Sequence, residues 1–562
     1  MADFDETFDW VVVGSGAGSM SSALVMRKAG KSVVILEKMA VVGGTTAKSG
    51  GVMWIPNNRF IRADEPDESA EKAITYLDAL CGADDNENGP ENPGTSHDRR
   101  LAYVNEAPRM LDFIIDQGVD MERASEYWPD YYDELPGGCK TSRCVTARYF
   151  NLKELGPWEK KLAPGFAPFP VKLDDGMKTA FRNKSKALNK IYMGIVKRTI
   201  WGKLTFKNYT SAGAALQGRM LKASLAAGVD LRTETPVKQL IVEGGKVVGV
   251  VAEAGGKAVR IGARLGVLVN AGGFAQNQAL RDKYMPGTHA AWSNTPPGDT
   301  GDMIGELERA GGVMAQMDQM VGYQTTRPPS FATDFVKPAG QSLTGRPGAI
   351  LVDQAGKRYL NEGGSYELFC ETMLKHNAVP SWAVFSQTYA DDYLVAGKWV
   401  GKAKKPAGWV ESGYLKVADT IEALAAQINV DPLALRATID RWNAFVDKGV
   451  DEDFGRGARE YDKWLGDPFH GPNPSLGRID KAPFYAVDMV PSDVGTYGGA
   501  LIDANARVIT ADGSPIPGLY ACGVSTASIM GGVYPGAGAS VGPSMTFGYI
   551  AAKHAAGVGN SL

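Results

Sequence analysis

Gly14-Ser15-Gly16-Ala17-Gly18-Ser19 directly follows the β-branched run Trp10–Val13, and Glu37 stands 23 positions after Gly14, at the end of a second apolar run. In such a turn the first glycine permits the bend and the second lets backbone approach a pyrophosphate. The third position needs a small residue, here Ser19 with Gly18 one place early. A helix starting at Ala17 would aim its N–H groups and positive dipole end at that anion. Glu37, with Lys38 beside it, would accept ribose hydroxyls, which argues against a 2′-phosphate. The glycines alone describe only a tight strand-to-helix turn; strand, helix and spaced acid together specify a dinucleotide site.

The next stretch, Val42 to Gly51, decides which dinucleotide. Gly44, Thr45, Thr46, Ser49, Gly50 and Gly51 offer N–H and hydroxyl donors that a nicotinamide cofactor does not need there, whereas FAD must thread its ribityl chain and isoalloxazine past the second strand. Donors also recur near the C-terminus. The Gly-rich run from Gly531 leads through Ala539 and Ser540 into a terminal helix expected over Val541 to Ala556, whose N-terminus could favour the negative charge of reduced flavin. The strand Val267–Asn270 ends at Ala271 and Gly272, and the strand Gly518–Cys522 ends at Gly523, so both turns count with the cofactor site.

Contacts so far apart in sequence imply one domain with a long insertion. The expected layout is an FAD domain over 1–279 and 482–562, an inserted domain over 280–481, and a basic insertion or lid over 140–210. Val237–Glu243 and Lys246–Glu253, joined by Gly244-Gly245, read as a hairpin. Helices are expected over Ser69–Leu80, His97–Asp116 and from Asp431-Pro432 to Lys448, with a polar loop over Gly82–Gly94. Asp302 could cap a helix, and Ile350–Tyr359 reads as a bent strand pair.

Composition sets outer limits. At 562 residues, 44% apolar and 22% charged, the chain can bury more than one large core, and a net charge of −3 argues against nucleic-acid binding. The acidic N-terminus lacks a signal pattern and no run of eighteen apolar residues follows, so the reading is cytoplasmic. Five cysteines without CxxC spacing and five scattered histidines indicate neither a disulfide framework nor a metal site. From Gly176 to Val229 there are eleven Lys or Arg and no acid, with apolar residues interleaved. That stretch could rest peripherally on an anionic membrane or be a solvated face; its apolar positions form no clean helical stripe.

The flavin loop resembles the FAD domain of fumarate reductase flavoproteins and 3-ketosteroid dehydrogenases, and no histidine precedes His97, so the FAD is expected to be noncovalent. Tyr534-Pro-Gly-x-Gly538, Asn361-Glu362 with Tyr366 after a Gly-Lys-Arg strand, Trp128-Pro-Asp-Tyr131, and Asp451 to Gly457 resemble 3-ketosteroid Δ1-dehydrogenases over nearly the whole chain. The resemblance implies an α/β, glutathione-reductase-type Rossmann-like FAD domain with an inserted α+β catalytic domain, and places the backbone near Val237 at the adenine. It implies a 3-ketosteroid or similar polycyclic ketone as substrate, with a new C1–C2 double bond. The Tyr534 hydroxyl and Gly538 N–H would hold the C3 carbonyl oxygen, Tyr366 would take the C2 proton with Tyr131 supporting it, and flavin N5 would take hydride from C1. Tyr132 lies beside Tyr131, leaving two candidates for the supporting role. Ser365 stands where the family often has Pro, and Val524 where Asn is common.

Rival readings remain. A fumarate-reductase-type enone reductase needs an Arg donor and carboxylate clamps, and Gly531 to Pro543 contains none. A Δ4-(5α)-dehydrogenase would use a similar tyrosine set on other carbons, and a noncatalytic electron-transfer subunit would need no such tyrosines. No second dinucleotide turn occurs, so electrons are expected to leave to an external, quinone-like acceptor.

Overall fold

The computed structural model describes residues 3–559 except 83–93, 126, 183 and 402. The polar Gly82–Gly94 loop, but for its two ends, and Glu126 therefore lie outside the described residues.

Strand β1 (Glu6–Val13) is buried through its second half and runs into helix α1 (Ala17–Lys28). Strand β2 (Val33–Leu36) pairs parallel to it, Val12 opposite Ile35, and a short helix α2 (Gly44–Lys48) carries the predicted flavin loop. Helix α3 (Lys186–Leu204) lies within the basic stretch, and strands β3 (Asp230–Arg232), β4 (Val237–Glu243), β5 (Lys246–Ala254) and β6 (Lys257–Val269) follow. The expected Val237 hairpin is there, with β4 and β5 antiparallel.

The second part is built on a four-stranded antiparallel sheet. It contains β7 (Ala349–Val352), β8 (Ser381–Ser386), β9 (Lys416–Ala418) and β10 (Phe484–Met489) in the order β7-β8-β10-β9. Helix α4 (Tyr366–Lys375) packs beside it, and α5 (Pro432–Lys448) starts at Asp431, whose carboxylate accepts from Leu433 N–H at 3.0 Å, and stops at left-handed Gly449. Because β10 belongs to this sheet, the chain returns to the first sheet only after Met489. There β11 (Arg507–Ile509) and β12 (Pro515–Ala521) complete the order β11-β12-β6-β1-β2-β3, with β5 and β4 branching from β6. The terminal helix α6 spans Val541–Ala556, as the sequence indicates.

Helix α1 is buried on every face from Ala17 to Met26 because α6 lies against it as the sheet does. Gly18 is required there: a Cβ would strike the Ser544 carbonyl, and one at Gly548 would strike Gly18. Gly18 therefore serves helix-on-helix approach as well as the phosphate turn.

Two sequence expectations change. Asp302 does not cap the helix at Ile304, whose cap position is Met303; its carboxylate pairs with Lys38 at 2.7 Å. Beyond the turn at Asp353–Gly356 the chain to Tyr359 forms no strand, because Arg358 is turned inward to Glu362 and Asp451. Among the described residues, no helix is long and apolar enough to cross a membrane, and no cluster of ligating side chains could hold a metal.

One buried charge network ties the FAD part together. Arg143 is fully buried and donates to Glu68 at 2.7 and 3.0 Å and to Asp130 at 2.7 Å, while Trp54 Nε1 donates to the other Asp130 oxygen at 2.7 Å. Removing one partner of such a set strands buried charge, at about 3–5 kcal/mol. Arg143→Met is thus expected to lower stability by about that amount, read as a lower urea midpoint; an unchanged midpoint would show that the network is not needed.

Candidate active site

At the nucleotide end, no side chain caps α1 at Gly16, which leaves its leading N–H groups for an anion. Glu37 is buried, and its carboxylate accepts from Ser15 N–H at 3.1 Å, Ser15 Oγ at 2.6 Å and Met39 N–H at 2.8 Å. Ser15 Oγ in turn accepts from Gly43 N–H at 3.0 Å, fixing the phosphate turn to the flavin loop. Thr235 N–H donates to the Glu37 carbonyl at 2.9 Å, which puts Val237 beside the acid. Lys38 is committed to Asp302 and to Thr300 at 2.8 Å.

Within the flavin loop, a side chain at Gly44 would meet open space. Ser49 Oγ is used internally, donating to the Thr46 carbonyl at 2.8 Å and accepting from Gly51 N–H at 3.0 Å, next to Gly50 and after Thr45. Across the site, Ser525 Oγ accepts from Ala271 N–H at 2.9 Å and donates to the Gly272 carbonyl at 2.9 Å, stitching that turn to the loop at Gly523. Helix α6 begins after Ser540 with no side-chain cap, which leaves the Val541 N–H at its head, while Ala539 N–H donates to the Gly536 carbonyl at 3.2 Å and Ser540 N–H serves Tyr534.

Three tyrosines from distant segments meet at its far side. The Tyr131 ring lies 5.6 Å from Tyr366 in an edge arrangement and 5.8 Å from Tyr534, and Tyr366 lies 5.6 Å from Tyr534. Tyr131 and Tyr534 are buried; Tyr366 retains partial exposure at the head of α4. The neighbouring Tyr132 ring instead lies under Arg459, 5.3 Å away, so Tyr131 is the one that faces Tyr366.

Each segment is held independently. Tyr131 N–H donates to the Pro535 carbonyl at 2.9 Å, tying the first tyrosine to the loop of the third. Tyr366 is fixed from behind by the motif residues around it. Glu362 accepts from Arg358 at 2.7 and 2.8 Å, Arg358 also pairs with Asp451 at 2.8 Å, and Asn361 donates to Asp462 at 3.0 Å. The acids and glycines from Asp451 to Gly457 thus serve the loop that aims Tyr366. Gly538 has φ +90°, and a Cβ there would drive into the Val52 carbonyl of the flavin loop. Its carbonyl accepts from Trp54 N–H at 3.2 Å.

Burial raises all three phenols. Tyr131 and Tyr366 stand well above the ordinary phenol value, desolvation being the main cause. For Tyr366 the neighbouring Tyr534 adds to the rise, while a hydrogen bond from Tyr131 draws it back. Tyr534 is pushed up only to about 12, because the Tyr366 hydroxyl and the N–H groups of Ser540 and Gly538 favour its charged form. Tyr534 therefore stands nearer the ordinary phenol value and Tyr366 further above it.

Sequence reasoning missed Tyr461, Tyr323 and Gln341. The Tyr461 ring lies 4.2 Å from that of Tyr131, tilted by 31°, and its hydroxyl accepts from Gln341 Nε2 at 3.0 Å; Tyr323 lies 5.9 Å from Tyr366. Each is a lone polar or aromatic residue without motif spacing, so only the fold reveals it. The signal for Asp130 was present, since it sits inside the Trp-Pro-Asp-Tyr segment.

A family model described as FAD binding domain matches residues 9–541. A 3-oxosteroid 1-dehydrogenase of Mycobacterium tuberculosis (strain ATCC 25618 / H37Rv) is 36% identical over 579 aligned positions, covering 98% of each chain. The chain belongs to the 3-ketosteroid Δ1-dehydrogenase family of FAD-binding flavoproteins. The crystal structure of 3-ketosteroid delta1-dehydrogenase from Sterolibacterium denitrificans in complex with 1,4-androstadiene-3,17-dione superposes with a TM-score of 0.91 at 32% identity, covering 98% of this chain and all of that one. A 4-oxocyclohex-2-ene-1-carboxylate 5-dehydrogenase of Sinomonas cyclohexanicum is 33% identical, covering 98% of this chain and 93% of its own. The expected α/β FAD fold and the cofactor are thus both borne out.

The residues present fit FAD: an uncapped helix N-terminus at each end of the cleft, a buried acid at the ribose position, and free space over Gly44. Since Gly538 touches the flavin loop through backbone, Gly538→Ala is expected to cost about 1–3 kcal/mol of stability, read as a lower urea midpoint. A wild-type midpoint would disprove the close approach.

Proposed function

We propose that this protein is an FAD-dependent 3-ketosteroid 1(2)-dehydrogenase, with the FAD held noncovalently. The observation that carries the reading is the convergence of Tyr131, Tyr366 and Tyr534 beside the Gly538 backbone, on a chain whose relatives carry that name. Bound FAD supplies the acceptor for hydride from C1. The Tyr534 hydroxyl and Gly538 N–H bind the C3 carbonyl oxygen and stabilise the enolate as charge develops there. Tyr366 takes the C2 proton as phenolate, and Tyr131 stabilises that phenolate through its hydrogen bond. Tyr461 and Gln341 extend the hydroxyl string away from the ring. Loss of a proton from C2 and a hydride from C1 leaves the C1–C2 double bond.

No lysine or arginine is among the main groups acting on Tyr366 or Tyr534, which suits an uncharged ketone. The further aromatic rings packed about the three tyrosines, Tyr323 against Tyr366 and Trp464 against Tyr461, suit a flat polycyclic body. Both features favour a steroid over the oxocyclohexene carboxylate in the name of the Sinomonas relative.

We also infer peripheral membrane contact and an external, quinone-like acceptor. Helix α3 and the turn after it expose Trp201 at 68% and Phe206 at 87%, with Ile200 and Leu204, among the exposed cations Lys197, Arg198, Lys203 and Lys207. A surface of bulky apolar groups ringed by cations suits an anionic bilayer, where an apolar substrate would dissolve.

Mixed anaerobically with androst-4-ene-3,17-dione, the wild type is expected to lose its flavin absorbance, while FAD-loaded Tyr366→Phe bleaches about 10²- to 10⁴-fold more slowly. Because the Tyr366 phenol lies above its ordinary value, the wild-type rate should rise with pH through the alkaline range as phenolate forms. Bleaching by 4-oxocyclohexanecarboxylate alone, or by neither ketone, would refute the steroid reading. Flotation with anionic vesicles, lost in Trp201→Ser/Phe206→Ser and absent with neutral vesicles, is the expected membrane result; no flotation at low salt would eliminate it.

A further inference from the structure

Helix α6 opens onto a cavity lined by Ala539, Ser540 and Pro543 on one side and by Gly523, Thr496 and Arg99 on the other. Two of these side chains carry buried polar atoms without a partner, Arg99 Nε and Thr496 Oγ1. Arg99 is 2% exposed. Its Nη2 donates to the Ala527 carbonyl at 2.9 Å, Nη1 to the Gly94 carbonyl, and its guanidinium lies 5.6 Å from the Phe547 ring centre. Among the described residues no carboxylate touches it, and the one charged group acting on it is Asp503. Burial pushes its pKa down to about 9.

A buried guanidinium held only by neutral carbonyls and a ring has not regained what it lost with its water, and it is completed by negative charge. The neighbouring helix N-terminus, uncapped at Ser540, favours negative charge in the same space. Among the described residues lining the cavity, Arg99 is the one cation. We infer that Arg99 faces the pyrimidine edge of the flavin and holds the negative charge that this edge acquires on reduction, which makes hydride acceptance more favourable. The inference rests on the FAD reading above and adds a positioning residue outside the tyrosine set.

Sulfite provides a readout independent of turnover. Its sulfur lone pair adds to N5 of oxidised flavin, and the resulting negative charge settles on the pyrimidine edge; no other reactant is needed. Arg99→Gln keeps donors for Ala527 and Gly94 but removes the charge. The expected result is a sulfite dissociation constant about tenfold higher, equivalent to about 30 mV lower in two-electron potential, with bound FAD unchanged. FAD-loaded Arg99→Gln with wild-type sulfite affinity would overturn the inference and leave the FAD reading intact, whereas wild-type protein that releases no FAD on denaturation would overturn both.

If Arg99→Gln does not fold, Arg99→Lys decides, because a buried lysine loses its proton at lower pH than a free one. The ratio of its sulfite dissociation constant to that of wild type should then climb as pH rises and the lysine becomes neutral. A pH-independent ratio would show that the charge at 99 does not reach the flavin.

Discussion

The Arg143 guanidinium is the interaction on which the geometry of the site depends. It is wholly buried and neutralised by Glu68 and Asp130, with cation–π approaches to Trp54 and Tyr76 at 5.7 and 5.6 Å. Three of these partners adjoin the tyrosine cluster. Asp130 precedes Tyr131, Trp54 N–H holds the Gly538 carbonyl, and Tyr76 donates its hydroxyl to the Pro535 carbonyl at 2.7 Å, next to Tyr534. One charge therefore fixes two of the three tyrosines and the Gly538 backbone against each other. A hydrophobic plug of the same volume could be equally stable, but it would not dictate these directions. Burial works against the Arg143 charge, and Asp130 and Glu68 more than offset it, holding the guanidinium above its ordinary value; Asp130 also accepts Cys139 N–H at 3.0 Å and Glu68 accepts Asn57 N–H at 3.1 Å.

The same burial creates the chemical difficulty of the site. A phenol must lose its proton to act as a base, yet desolvation raises all three tyrosines. The proposed mechanism resolves this by dividing the labour. Tyr534 is relieved by the Tyr366 hydroxyl and two backbone N–H groups, which suits its proposed place at the oxygen that gains charge. Tyr366 keeps its high basicity, and the hydrogen bond from Tyr131 offsets part of the cost of its phenolate. A hydroxyl string in a dry pocket polarises more strongly than in water, which is why the ring packing around Tyr461 and Tyr323 matters to the chemistry.

Where the sequence was legible, local rules agreed with the fold. The phosphate turn, Glu37, the Val237 hairpin, α5 between Asp431 and Gly449, and α6 from Val541 all follow from short-range patterns of glycine, proline, capping residues and apolar period. Asp302 misled because an N-cap candidate is also a good salt-bridge partner, and Lys38, distant in sequence, competes for it. Arg358 misled in the same way: its inward turn toward Glu362 breaks a strand that propensity alone would continue. Tyr461, Tyr323 and Gln341 carry no local signature at all. Helix α3 shows the limit of periodicity, since an apolar set that faces solvent need not form the narrow stripe that core packing enforces.

The division of the site between two parts of the chain has its own consequence. Tyr131 and Tyr534 come from the FAD part, whereas Tyr366, Tyr323, Tyr461 and Gln341 come from the inserted part. The proposed base and oxyanion donor thus meet where the two parts of the chain touch. Asp133 accepts from the N–H groups of Glu460 and Tyr461 at 3.2 and 3.1 Å, and Tyr127 donates to the Glu460 carboxylate at 2.9 Å. These bonds reach across the seam two and four residues from Tyr131, so the segment that supplies the supporting tyrosine also clamps the inserted part. Such coupling keeps the base aligned with the FAD side without a rigid linker, because the alignment is made at the reacting groups themselves.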